Sequence, residues 1–157
     1  DFATVARFGA VVKIPADGGA ELTNCVFGFG LVADPTDMDT TTSGGLFTDN
    51  NLMLMVRSAG AGAGNWMIRR ENAGVAAQNN NTLVVADTWY VLEARQTSAG
   101  AWQMYVNGSA TVSASGANTS GICYFAIGGI RDAGTNGRNI VVDEYWLETT
   151  ALDRAAA

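Results

Sequence analysis

Two glutamates near the end of the chain, Glu144 and Glu148, are the residues whose type and spacing come nearest to catalysis. A carboxylate pair is what general acid–base cleavage of a glycosidic bond uses. The sequence contains no histidine, which removes Ser-His-Asp and Cys-His triads and imidazole metal ligands together. In Glu144-Tyr145-Trp146-Leu147-Glu148, alternation puts both acids on one strand face, about 13 Å apart along the backbone. Retaining glycosidases hold their carboxyl groups about 5–5.5 Å apart. The pair is therefore expected to be a solvated strand face flanking a half-exposed Trp146, with the acids matched to arginines such as Arg7 or Arg154. No catalytic, cofactor-binding or metal-ligating residue is assigned, no cofactor is expected, and the chain is expected not to be an enzyme.

Other constellations are weaker. Asp34, Asp37 and Asp39 could hold Ca²⁺ with nearby carbonyls, but the D-x-x-D-x-D spacing lacks the bidentate glutamate and glycine of an EF-hand loop, and turn-forming aspartates are the plainer reading. Cys25 and Cys123 lack the paired spacing of zinc or redox sites. Each lies in an apolar run, where a buried thiol is expected and one bridge between adjacent strands is the alternative. Gly60, Gly62 and Gly64 alternate with alanine and have no following lysine, so they read as a loop tip and not a phosphate cradle. A sugar site would need an exposed aromatic platform beside amides and carboxylates. Trp66, Trp146 and Asn79, Asn80 and Asn81 could supply one, while Trp89 and Trp102 are expected to pack between sheets.

The elements that must position these residues are strands. Period-two alternation runs through the chain, and no stretch of helical periodicity stands out. Strands are predicted over residues 4–14, 20–32, 52–57, 65–71, 75–78, 83–86, 88–97, 101–106, 109–115, 122–130 and 139–149, with a short one possible at 45–48. The first places Phe8, Ala10, Val12 and Ile14 on one face and Arg7, Gly9, Val11 and Lys13 on the other. Asn79-Asn80-Asn81 reads as a turn. Asn107-Gly108 supplies two positive-φ positions at low cost and predicts a type I′ hairpin. Ten or eleven short strands without a crossover helix predict an all-β, two-sheet antiparallel jelly-roll sandwich.

Composition narrows the partners. The 157 residues suit one sandwich domain over 1–157 with short terminal arms, and 48% apolar residues exclude a disordered chain. Nine basic against fifteen acidic residues give a net charge of −6, a surface that repels nucleic acid. No apolar run reaches the ~20 residues of a membrane helix, so no membrane partner is expected. The first residue is Asp1, so a processed product or part of a longer chain is expected.

From residue 88 onward the chain resembles the concanavalin A-like and laminin-G-like jelly-roll superfamily. The resemblance rests on Trp89-Tyr90-Val91-Leu92, on Trp102-Gln103-Met104-Tyr105-Val106-Asn107-Gly108, on Ile127-Gly128-Gly129, and on Val142-Asp143 followed by Leu147. It implies the sandwich fold. Members that cleave β-glucans carry E-x-D-x-E on one strand, and here Trp146 stands where the aspartate would be. Within the superfamily, residues 135–149 and the Ala/Gly/Asn-rich loops look most like the jelly rolls of tailed-phage (bacteriophage) virion proteins. That resemblance implies a non-catalytic structural protein on the virion surface, a capsid-decoration or appendage module. It would contact other virion proteins or copies of itself as a homo-oligomer, with residues 1–6 and 151–157 as docking arms. The alternative is an extracellular, lectin-like carbohydrate-binding module, and the third reading is a glycan hydrolase.

Overall fold

A computed structural model describes residues 1–16, 25–36, 50–57, 64–73, 75–131 and 140–150. After a 3₁₀ turn at Phe2–Thr4 come ten strands: β1 (Val5–Lys13), β2 (Cys25–Val32), β3 (Asn51–Arg57), β4 (Asn65–Asn72), β5 (Val75–Leu83), β6 (Trp89–Ser98), β7 (Ala101–Val106), β8 (Ser109–Ser115), β9 (Tyr124–Arg131) and β10 (Val141–Thr149). They form two five-stranded sheets, sheet A in the order β10-β1-β6-β7-β8 and sheet B in the order β5-β4-β3-β2-β9. All pairings are antiparallel. β1 packs on β2, β6 on β3, and β8 on β4 and β5, so the sheets stack face to face.

The alternation read in the sequence chooses the inner faces. Phe8, Ala10, Val12 and Ile14 are buried against Phe27, Phe29, Leu31, Leu52, Leu54 and Val56. Phe8 is the hub, with ring centroids 6.4 Å from Phe29, 5.7 Å from Trp102 and 6.2 Å from Phe125. Cutting such a ring back to alanine costs about 3–5 kcal/mol. Gly30 sits at φ +154, and a Cβ there would overlap the Leu52 carbonyl oxygen. A glycine is required at this position by the close approach of the adjacent strand's backbone.

The Asn107-Gly108 turn forms as predicted, with φ of 51° and 80°. Asn107 does more than turn the chain. Its N–H donates to the Val91 carbonyl oxygen at 2.8 Å, and its Oδ1 accepts from the Val91 N–H at 2.8 Å, tying the turn to β6.

Three expectations change, and the alternative of a cysteine bridge is removed. Residues 75–83 form one strand: Asn79 and Asn80 pair with Ile68 and Met67, and Asn81 is the extra residue of a bulge, so no turn separates two strands there. A long partner strand, β4, overrode the local turn preference of asparagine. Trp89 faces outward and is 44% exposed, with the Lys13 ammonium 5.1 Å from its ring, whereas Trp102 is buried as expected. Cys25 and Cys123 cannot bridge. Cys25 stands opposite Arg131 at one end of the β2–β9 ladder, while Cys123 precedes Tyr124 at the other. Seven strand residues separate these ends, roughly 23 Å, against the ~5.5 Å a disulfide needs. Cys123 is a free, half-buried thiol packed against the core. Residues 1–6, expected as a docking arm, are tied into this chain's own sandwich: Phe2 and Val5 are buried, and the Phe2 N–H donates to the Gly121 carbonyl oxygen at 3.1 Å. The short strand considered at 45–48, the loop tip at 59–63 and the arm at 151–157 lie outside the described residues.

Candidate binding face

The strand register lays out the outer face of sheet A row by row. Across β10, β1, β6, β7 and β8, one row reads Glu148, Arg7, Arg95, Gln103, Ser113, and the next reads Trp146, Gly9, Glu93, Tyr105, Ala110. Glu144 lies beside Val11 and Val91 in the third row, and Lys13 beside Trp89 in the fourth. Asp143 is the extra residue where β10 bulges against Val11 and Val12.

Arg7 and Arg95 are direct cross-strand neighbours, an arrangement that like charges disfavour. Glu93 resolves it. Its carboxylate accepts from Arg7 Nη1 on one oxygen at 3.3 Å and from Arg95 Nη2 on the other at 2.7 Å. Arg7 also donates from Nε to Glu148 at 2.5 Å. The Glu148 hydrogen bond, followed by its charge, raises the Arg7 guanidinium above its ordinary pKa, and the Glu93 hydrogen bond does the same for Arg95. The Glu93 side chain is 9% exposed, while those of Arg7, Arg95 and Glu148 are close to half exposed. One sunken carboxylate thus anchors two accessible cations. The Arg95 guanidinium also lies 4.1 Å from the centroid of the Tyr105 ring, a cation–π contact.

Gln103 and Thr111 occupy a neighbouring irregularity. The register slips between Gln103 and Tyr105, and Gln103 Nε2 donates to the carbonyl oxygens of Met104 and Val112 at 3.0 and 3.1 Å. The amide closes the gap the slip leaves in the ladder.

Trp146 is half-buried and lies across Gly9, whose missing side chain makes room for the indole. Glu144 and Glu148 share its strand face, as expected, and Glu148 pairs with Arg7, the expected arginine. Arg154 lies outside the described residues. Trp66, the other expected platform, is fully buried between the sheets with its ring 5.6 Å from Tyr90, so it offers nothing to a ligand. Sequence reading did not find Glu93, Arg95 or Tyr105. Their signal, three polar or aromatic residues at outward hairpin positions, appears only once the register pairs Arg95 with Arg7 and Tyr105 with Glu93.

The outer face of sheet B is different. Val26, Val32, Met53, Met55 and Met67 form a second buried apolar cluster there. Beside them the buried Arg69 donates to Asn51 Oδ1 at 3.2 Å and to Glu71 at 2.7 Å. Asp34 of the acidic loop is engaged in a turn, accepting from the Thr36 Oγ1 at 2.7 Å and the Thr36 N–H at 2.8 Å, which holds its carboxyl below the usual range. Asp37 and Asp39 lie outside the described residues, and among the described residues no group of three His, Cys, Asp or Glu side chains could hold a metal ion. Among them, too, no helix is long and apolar enough to cross a membrane.

No family model matches the sequence, and no curated protein matches it. Solved structures do match the fold. The carbohydrate-binding module CBM66 from Bacillus subtilis superposes with a TM-score of 0.58 at 12% identity, covering 92% of this chain and 75% of that one. Alginate lyase A1-II′, a member of polysaccharide lyase family 7, gives 0.60 at 12% identity over 95% of this chain and 63% of that one. A β-glucanase from Bacillus licheniformis gives 0.60 at 14% identity over 94% of this chain and 66% of that one. The chain thus spans just under two thirds of the two enzymes. At these identities the likeness shows the fold, a concanavalin A-like jelly-roll sandwich. The virion part of the expected resemblance draws no support from these three proteins.

Proposed function

We propose that this chain is a non-catalytic carbohydrate-binding module that holds a glycan on the outer face of sheet A, with Trp146 as the stacking platform. The observation that carries the reading is the Gly9–Trp146 arrangement: an indole laid along a sheet, partly open to solvent, with Glu144 and Glu148 on either side and the Arg7–Glu93–Arg95 network across the row. Apolar sugar faces stack on such a ring, and ionised groups already fixed by each other supply hydroxyl partners at low entropic cost. The match to a carbohydrate-binding module is consistent with this reading. Hydrolysis is a poorer fit, because Glu144 and Glu148 stand about 13 Å apart on a regular strand, beyond both the ~5–5.5 Å of retaining and the ~6.5–9.5 Å of inverting carboxyl pairs.

The test is retardation of the chain in gels containing polysaccharides, with Trp146→Ala as the control. Retardation by at least one glycan that the substitution abolishes supports the reading. Binding that Trp146→Ala leaves intact removes the site, and no retardation by any glycan removes the function.

A second reading, an assembly module on a virion surface, is favoured by one observation. At the β9 and β10 edge of the sandwich, Ile127, Tyr145 and Leu147 are 40%, 63% and 45% exposed. Contact with another subunit would cover them. Light scattering of the isolated chain, then mixing with purified capsid shells, tests it: binding at lattice stoichiometry supports assembly, and a monomer that ignores shells rejects it.

A further inference from the structure

We infer that the glycan taken by this face is neutral and that uronate-bearing chains are excluded; the inference rests on the carbohydrate-binding reading above. The charged side chains that the register pairs on the face are Arg7, Arg95 and Lys13 against Glu93, Glu144 and Glu148, and the β10 bulge adds Asp143. The cations do not exceed the acids, so the face offers an anionic polymer no net attraction, while the chain as a whole carries −6 and repels it at long range. The arrangement near the platform is more acidic than the sum. Glu144 and Glu148 precede and follow Trp146 on its own strand face, and Glu93 stands in the same row beyond Gly9.

The cations are already engaged. Arg7 is directed to Glu93 and Glu148, Arg95 to Glu93 and the Tyr105 ring, and Lys13 lies over Trp89. A sugar carboxylate seated on Trp146 would add a negative charge beside Glu144, Glu148 and Glu93, and the guanidiniums within reach already have their charge matched by Glu93 and Glu148. A neutral sugar meets no such repulsion. Its hydroxyls donate to carboxylate oxygens and accept from the outward edges of the guanidiniums without breaking an ion pair.

The experiment compares the full chain on two sets of polysaccharides at low and at high salt: neutral β-glucan, mannan and levan, and acidic alginate and polygalacturonate. At least one neutral polymer should bind with an affinity that changes less than about twofold with salt, since no counterions are released, and both acidic polymers should bind more than about tenfold more weakly. Acidic polymers that bind as tightly as neutral ones, with binding that falls as salt rises, would overturn the inference and leave the glycan reading standing. Failure of every polymer in both sets overturns the glycan reading and this inference with it.

Discussion

The indole of Trp146 occupies the space above Gly9 that any side chain at position 9 would claim. A Cβ built on Gly9 would overlap the indole Cζ2 and approach the Leu92 carbonyl oxygen to 2.5 Å. The indole could swing aside, but the carbonyl belongs to the β1–β6 ladder. Gly9→Ala should therefore destabilise the fold by about 1–3 kcal/mol in urea denaturation, and shift tryptophan emission to the red as the ring leaves the sheet. An unchanged midpoint would mean that the strand has slack the structure does not show.

Glu93 and Glu148 both pair with Arg7 but differ in depth, 9% against 54% exposed. Glu93→Ala should lower stability by about 1–3 kcal/mol, because a sunken acceptor shared by two donors is lost. Glu148→Ala should leave the denaturation midpoint where it is, as expected for an exposed pair. Equal losses from the two would show that depth does not set the difference.

The Val91 and Asn107 pair predicts a graded response. Asn107 combines positive φ with a side-chain hydrogen bond to the Val91 N–H. Asn107→Gly loses only the bond and should cost about 1 kcal/mol. Asn107→Ala adds the left-handed backbone penalty of about 1–2 kcal/mol and should cost visibly more by thermal melting.

For Asp34 the sign follows from the direction of its shift. Its carboxyl titrates below 3.8 because it accepts from the Thr36 hydroxyl and N–H. A depressed carboxyl favours the folded turn above the unfolded value, and that contribution is lost as pH falls through the folded value. Thr36→Val removes the larger cause, so the Asp34 carboxyl carbon should titrate closer to 3.8 by NMR. No movement would show that the hydroxyl bond is absent in solution.

Because Cys25 and Cys123 occupy opposite ends of one strand pair, reducing agent should leave the melting temperature unchanged. A lower temperature under reduction would require a bridge between chains.

Much of the fold was legible because side-chain direction in a strand has period two. Phe8, Ala10, Val12 and Ile14 could be assigned to one face and Arg7, Gly9, Val11 and Lys13 to the other without knowing their neighbours, and Asn107-Gly108 dictated its turn by φ alone. Period two also put Glu144, Trp146 and Glu148 together. It could not say which apolar stripes face a second sheet, so Trp66 and Trp146 looked alike as platforms, and Trp89 and Trp102 looked alike as core.

The sequence by itself determined most of the strands, the alternation of their faces and the absence of histidine chemistry, since these depend on residue type and local geometry. Only the tertiary structure decided that Trp146 lies on Gly9, that Glu93 joins Arg7 to Arg95, that Asn79 and Asn80 sit inside a strand, and that the cysteines stand apart. Each of these is a relation between strands distant in the chain, fixed by the register in which backbone hydrogen bonds lock one strand beside another, and register is a property of the pair that neither strand carries alone.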